Sequence, residues 1–325
     1  MTPVRDLLRR LDDWLHEPAP HERLAILRVL IGGFVTVYLV VNAGEFNRVT
    51  RRDPAEFDPV GVARVLSGPL PDTVVWGLFV GLLFAGVVFT AGVWFRLVGP
   101  LFALGVLAWA SYHSSWGRLL HFEHLFTLHV LVLGFAPAGR VAEPGPAAIR
   151  YGWPVRLMAI ATVTTYFLTG LAKLRMTGLD WFGRDVLADH IAYSTIRVES
   201  IGGPTPPLSD WVLDRTWLIP PMAAAALAVE LLAPLALVLR RFRVAWAIAA
   251  IGFHAGTGLL MWVFFGYRGL GFGLLPLFAV ERGVAGLRHA TRTLRPTAKP
   301  PGDPGDAGRP GRRLRGSGTR LDLAG

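Results

Sequence analysis

The sequence predicts an all-α, polytopic transmembrane helical bundle of about eight spans with both termini inside, and three observations carry that expectation. Hydrophobic residues make up 52% of the 325-residue chain and mean hydropathy is +0.44. The apolar residues gather into runs that approach or exceed the roughly 20 residues needed to cross a bilayer. The basic residues, nearly all arginine, fall mainly between the runs and alternate in density from one connection to the next. Burial against lipid and close helix packing therefore replace the core-size argument used for a soluble domain.

Residues 1–23 are too charged for a secretory signal, and no cleavable leader is expected. Val4, Leu7, Leu8, Leu11 and Leu15 repeat at helical spacing, which predicts an amphipathic helix lying on the inner surface. The membrane domain, residues 24–281, holds candidate spans at Leu24–Ala43, Val74–Val93, Leu97–His113, Leu119–Ala136, Val155–Leu174, Leu218–Leu239 and Val244–Phe265. A short eighth lies near Leu270–Val280, where a crossing, a tilted span and a re-entrant loop remain open.

Arginine placement sets the orientation. With the N-terminus inside, the inner segments hold 21 Lys/Arg and the outer ones 10, the bias expected of cytoplasmic loops, although the tail supplies nearly half of the inner count. The long loops 44–73 and 175–217 then lie on the outer face, and the breaker run at Gly202–Pro207 predicts short surface helices in the second. Residues 282–325 form a basic tail, with ten Lys/Arg against three acids. Rich in Pro, Gly and Arg, it is expected to be disordered, cytoplasmic and drawn to anionic lipid. No aromatic residues interleave its charges, so nucleic acid is not an expected partner. The chain lacks cysteine, which excludes disulfides, thiolate nucleophiles and Cys-ligated metals.

Ionisable side chains inside spans are the candidates for chemistry, since each costs a few kcal/mol near the bilayer centre unless paired or facing a cavity. They are Arg28, Glu123, His124, His129, Lys173, Glu230 and His254. Lys173 is one of only two lysines in the chain. Lysine, unlike arginine, can lose its proton and serve as a base. At the end of an apolar span beside Arg175 it reads equally as a snorkelling anchor. Thr162, Tyr166, Thr169 and Lys173 follow helical spacing and form one polar stripe facing the bundle. In the expected topology Lys173 and His121 sit at outer span ends, with Glu230 and His254 nearer the midplane. Together they can line an outward cavity; Glu230 and His254 can also be buried packing groups or a mutual pair. His121, His124 and His129 invite a metal reading, but too few ligands accompany them and none is expected. The Gly77-x-x-x-Gly81 and Gly252-x-x-x-Gly256 pairs and the Gly269–Gly273 run read as helix-contact surfaces.

The run "YFLTGLAKL" (Tyr166–Leu174), followed by "LDWFG" (Leu179–Gly183), resembles the signature of the HTTM family, the membrane domain shared by vitamin K-dependent gamma-glutamyl carboxylase and many bacterial proteins. "ERLAILRVLIGGF" (Glu22–Phe34), "SSW" (Ser114–Trp116), Glu230 and Phe253-His254 follow in the same order, so the resemblance covers roughly residues 20–280. It implies that Lys173 is the base that deprotonates a vitamin K-type hydroquinone, with His254 and Glu230 completing a catalytic set. It further implies a menaquinol-type quinone bound near Tyr166, Thr169 and Trp181, and near a histidine that maps onto His121 or His124. The carboxylases carry a large extracytoplasmic substrate domain where this chain has only its tail. A quinone-type pocket is therefore expected, without carboxylation of a protein glutamate. The enzymatic reading is carboxylase-like or epoxidase-like chemistry. The alternatives are a proton-coupled transporter with Glu230 and His254 as relay groups, and a non-catalytic membrane partner that serves maturation or immunity. Expected surroundings are a bacterial plasma membrane, a lipid-soluble small molecule and a membrane protein partner.

Overall fold

A computed structural model describes residues 3–119, 121–137 and 146–293. The chain divides into two units at Gly283 and Val284. The first holds the bundle. Of the second, the described residues continue a helix to Thr293, and the remainder of the expected basic tail lies outside the described residues.

The chain begins with α1 (Pro3–Leu15), which is separate from α2 (His21–Val41). An isolated antiparallel bridge joins Ala19 to Ala148, and no strand occurs among the described residues. After α2 come α3 (Ala43–Val49), α4 (Asp72–Ala91), α5 (Phe95–His113) and α6 (His121–Phe135). The longest helix is α7, Ile149–Thr177; its 29 residues run about 44 Å. Beyond it α8 (Asp185–Ser200) and α9 (Ser209–Leu213) lie over one end of the bundle. The chain continues through α10 (Ile219–Leu231), α11 (Leu235–Val238) and α12 (Arg240–Met261), and ends its described part with α13 (Gly266–Gly269) and α14 (Val280–Thr293).

The protein is an all-α helical membrane protein. Helices α2, α4, α5, α7 and α12 are long and apolar enough to cross a bilayer. Their exposed faces carry Val37, Val80, Phe84, Leu101 and Ile248, the surface that lipid covers. Helix α6 has 15 residues, so its helical part covers only about 22 Å. The run expected as one helix over Leu218–Leu239 is broken between α10 and α11, where Pro234 has no amide hydrogen to continue the ladder.

Arg28, buried inside α2, is explained by its neighbour helix. Its Nη1 donates to the carbonyls of Phe89 (2.5 Å) and Thr90 (2.6 Å) in the last turn of α4, the negative end of that helix. Helices α5 and α6 meet at two glycines. A Cβ at Gly99 would lie 2.6 Å from the Gly134 carbonyl oxygen, and one at Gly134 equally close to that of Gly99. Of the expected contact glycines, Gly273 packs closely, its built Cβ 3.0 Å from Leu125 Cδ2, but Gly77, Gly81, Gly252 and Gly256 have no described atom within 4 Å, because their helices turn those faces away from the packed interior.

The eighth run, left open by its length, holds no α-helix before α14 starts at Val280, only a 3-10 turn at Phe272–Leu277. Hydrogen bonds place residues 262–281 along the depth of the bundle. They run from Trp262 Nε1 on the Pro204 carbonyl, through Tyr267 on His129 and the Gly273 carbonyl on Thr162, to Leu277 on Arg243 and Glu281 on Arg23. Irregular backbone is tolerated at such depth when protein surrounds it, and Tyr267, Arg268, Gly273, Leu274, Pro276 and Leu277 are all buried.

The loop at 44–73 is stitched to the connection after α5: Asp58 N donates to Ser115 O (2.9 Å) and Arg52 Nη1 to Trp116 O (3.0 Å). The loop at 175–217 is ordered by an apolar cluster of Trp181, Leu187, Ile191 and Val212 with Ile219, Leu227 and Leu260 of α10 and α12. That packing fixes the roof of the site.

Candidate functional site

Lys173 lies in the last turns of α7 and Glu230 in the last turn of α10. What brings them together is Gly170, one turn before the lysine. A Cβ there would stand 2.9 Å from the Glu230 Cβ and 3.0 Å from Leu231 Cδ2, so only glycine lets the two helices approach this closely. Lys173 Nζ donates to Glu230 Oε1. The carboxylate side chain is 2% exposed and its second oxygen, Oε2, has no partner among the described residues. The ammonium also lies 5.1 Å from the ring centre of Trp181 and 5.7 Å from that of Phe253, a cation–π setting that holds charge in an apolar wall. The snorkelling anchor is thus replaced by an inward ion pair.

Two turns earlier on α7, Tyr166 Oη is hydrogen bonded to His254 Nε2 of α12 at 2.8 Å, and the His254 Nδ1 has no partner among the described residues. The tyrosine ring packs edge-on against Trp246 at 5.1 Å. Glu230 and His254 therefore do not pair with each other; each joins α7 through its own partner. Trp181 is oriented from above, its Nε1 donating to the Ala223 carbonyl (3.0 Å).

These groups surround a cavity of about 510 Å³, within the range of small-molecule pockets. Its walls are mainly apolar, with Met176, Leu187, Met261, Val263 and Phe265 among them. Tyr166, Thr169, Lys173, Trp181, Glu230, His254 and His121 all line it. Thr169 bonds its hydroxyl back to Thr165 O (2.8 Å), and His121 is exposed, with its ring 5.5 Å from Phe265. His124 is exposed and does not line the cavity. Thr162 leaves the stripe for a separate buried network, donating to Gly273 O (2.7 Å) and lying 3.2 Å from His129 Nε2. Among the described residues no three His, Asp or Glu side chains converge as a metal site.

One lining group escapes the sequence reading. Arg268 of α13 is 7% exposed, its guanidinium carbon 5.6 Å from the Tyr166 ring centre and 5.7 Å from that of Phe265, and its Nε has no hydrogen-bond partner among the described residues. By position it counts as one more outer-loop arginine. The signal that marks it is its setting in "FFGYRGLGFG" (Phe264–Gly273), an apolar run with no acidic residue to pair it. Compared with known proteins, the chain matches no family model, no curated protein and no solved structure.

Proposed function

We propose that this is a membrane protein of the HTTM family whose cavity holds a lipid-soluble, quinone-type molecule and uses Lys173 as a proton acceptor. The observation that carries the reading is the Lys173–Glu230 ion pair set in the wall of an apolar cavity of about 510 Å³. The arginine bias supports an outward-facing cavity in a bacterial plasma membrane. The residues present fit a quinone-type ring. Phe253, Phe265, Met176 and Met261 offer it apolar and aromatic surface, and Glu230 Oε2 and His254 Nδ1 are polar atoms still lacking partners. When bound, such a group would supply a weakly acidic hydroxyl and two-electron reducing power.

The chain's own part is proton handling and placement. Lys173 accepts a proton only when Nζ is neutral, and Glu230 makes that state accessible by taking the Nζ proton along their hydrogen bond. Trp181 and Phe253 flank Nζ with apolar ring surface, which lowers the local dielectric and strengthens the exchange between the pair. Tyr166 fixes the His254 ring so that its free Nδ1 stays available. Menaquinol-dependent oxygen uptake in proteoliposomes tests the reading. Lys173→Arg, which keeps charge but not basicity, is expected to lower the rate by roughly 100-fold or more; an unchanged rate removes the lysine from the mechanism.

A further inference from the structure

The charges around the cavity do not balance. Lys173 and Arg268 bring two cations, Glu230 is the one acid among the lining residues, and the nearby His254 is already hydrogen bonded to Tyr166. The acid is engaged by the lysine, and among the described residues no ion pair holds Arg268, although its side chain is more than nine-tenths buried. A buried guanidinium is costly to leave without an acceptor. Here the ring faces of Tyr166 and Phe265 satisfy it only in part, and Nε is left without a partner. The short α13 holds the guanidinium against the ring of Tyr166 on α7.

We infer that Arg268 is an anion-binding residue of this cavity, and that the molecule held there is an apolar oxygen acid bound as its monoanion. The inference rests on the reading of the cavity as a site for a lipid-soluble molecule and adds the class of its polar end: a phenol, an enol or a carboxylic acid. The arrangement is chemically coherent. An oxygen acid that gives its proton to Lys173 becomes negative, and the uncompensated guanidinium is the group placed to receive that charge, with hydrogen bonds that neutral acceptors use less well.

The test uses the full chain in lipid nanodiscs, with empty nanodiscs as the blank, and equilibrium dialysis of 2-naphthoate against its neutral isostere 2-naphthamide. The wild type is expected to bind naphthoate about 10-fold or more tightly than naphthamide, the scale of one charge-assisted contact. Arg268→Gln is expected to abolish that preference while shifting naphthamide by no more than about 3-fold, and Arg268→Lys to restore part of it. Arg268→Met, which keeps most of the side chain's bulk without its charge, is expected to abolish the preference as well, so the readout also holds if Arg268→Gln does not fold. Naphthamide bound as tightly as naphthoate, or a preference surviving in Arg268→Gln, overturns the anion-binding role and leaves the apolar cavity standing. Binding of neither compound overturns the inference and the reading beneath it together.

Discussion

Lys173 and Glu230 have a defined energetic relation because both sit in a largely apolar wall. Removing one partner leaves the other charged and poorly solvated, whereas removing both leaves a neutral apolar contact. Glu230→Met is therefore expected to destabilise the folded chain by about 3 kcal/mol, and Lys173→Met/Glu230→Met by clearly less. Chemical unfolding in detergent, followed by tryptophan fluorescence, measures both; equal losses would mean that the pair carries no coupling. At this scale the sequence was informative where a residue was unusual. Lys173 stood out against 31 arginines, and Tyr166, Thr169 and Lys173 shared a helical stripe that does line the cavity. Thr162, on the same stripe, is diverted to His129 and Gly273 because a non-helical segment passes beside it. Arg268 was hidden for the complementary reason: its burial depends on tertiary placement of a loop, which periodicity does not register.

Between elements, the decisive contact is the approach of α7 and α10 at Gly170. Gly170→Leu is expected to push α10 away, break the Lys173–Glu230 bond, and cost about 1–3 kcal/mol through overpacking. Gly252→Leu, on a face with no neighbour within 4 Å, is expected to stay within roughly 0.5 kcal/mol of the parent. The same unfolding series compares them, and equal effects would contradict the packing described for α7 and α10. Small-xxx-small spacing pointed to the wrong glycines here, since a glycine pair marks a contact only if its face is turned inward. Helix existence was legible from apolar length. The break at Pro234 and the 3-10 return at Phe272–Leu277 were not, because both depend on neighbours that satisfy the freed backbone.

Across the whole molecule, the start of α2 is tied to the start of α14 by a two-pronged ion pair, Arg23 Nε and Nη2 donating to Glu281 at 2.9 and 2.7 Å. Burial alone would raise the Glu281 pKa, but the Arg23 hydrogen bond and nearby positive charge outweigh it and hold the carboxyl below its ordinary 4.5. A carboxyl lowered on folding binds fewer protons in the folded chain than in the unfolded one. Its stabilising contribution is therefore complete above about pH 4.5 and lost as pH falls through the lowered value. Thermal unfolding of wild type and Glu281→Gln is expected to differ at pH 7 and to converge as pH falls through the lowered value; a gap independent of pH would contradict the pair. The fold class and most spans were legible at this scale, since hydropathy reports lipid burial directly. The path by which the chain returns from the Lys173 end to Arg23 required the packed structure.

Whether the cavity beside Lys173 holds a lipid-soluble molecule is decided by solvent extraction and mass spectrometry of ligand from the purified protein. The comparison is wild type with Ala226→Trp, which places an indole in the cavity wall. A quinone-type molecule is expected at close to one per chain in the wild type, and its loss in the variant. Bulk phospholipid alone, or the same molecule at the same level in both proteins, would contradict it.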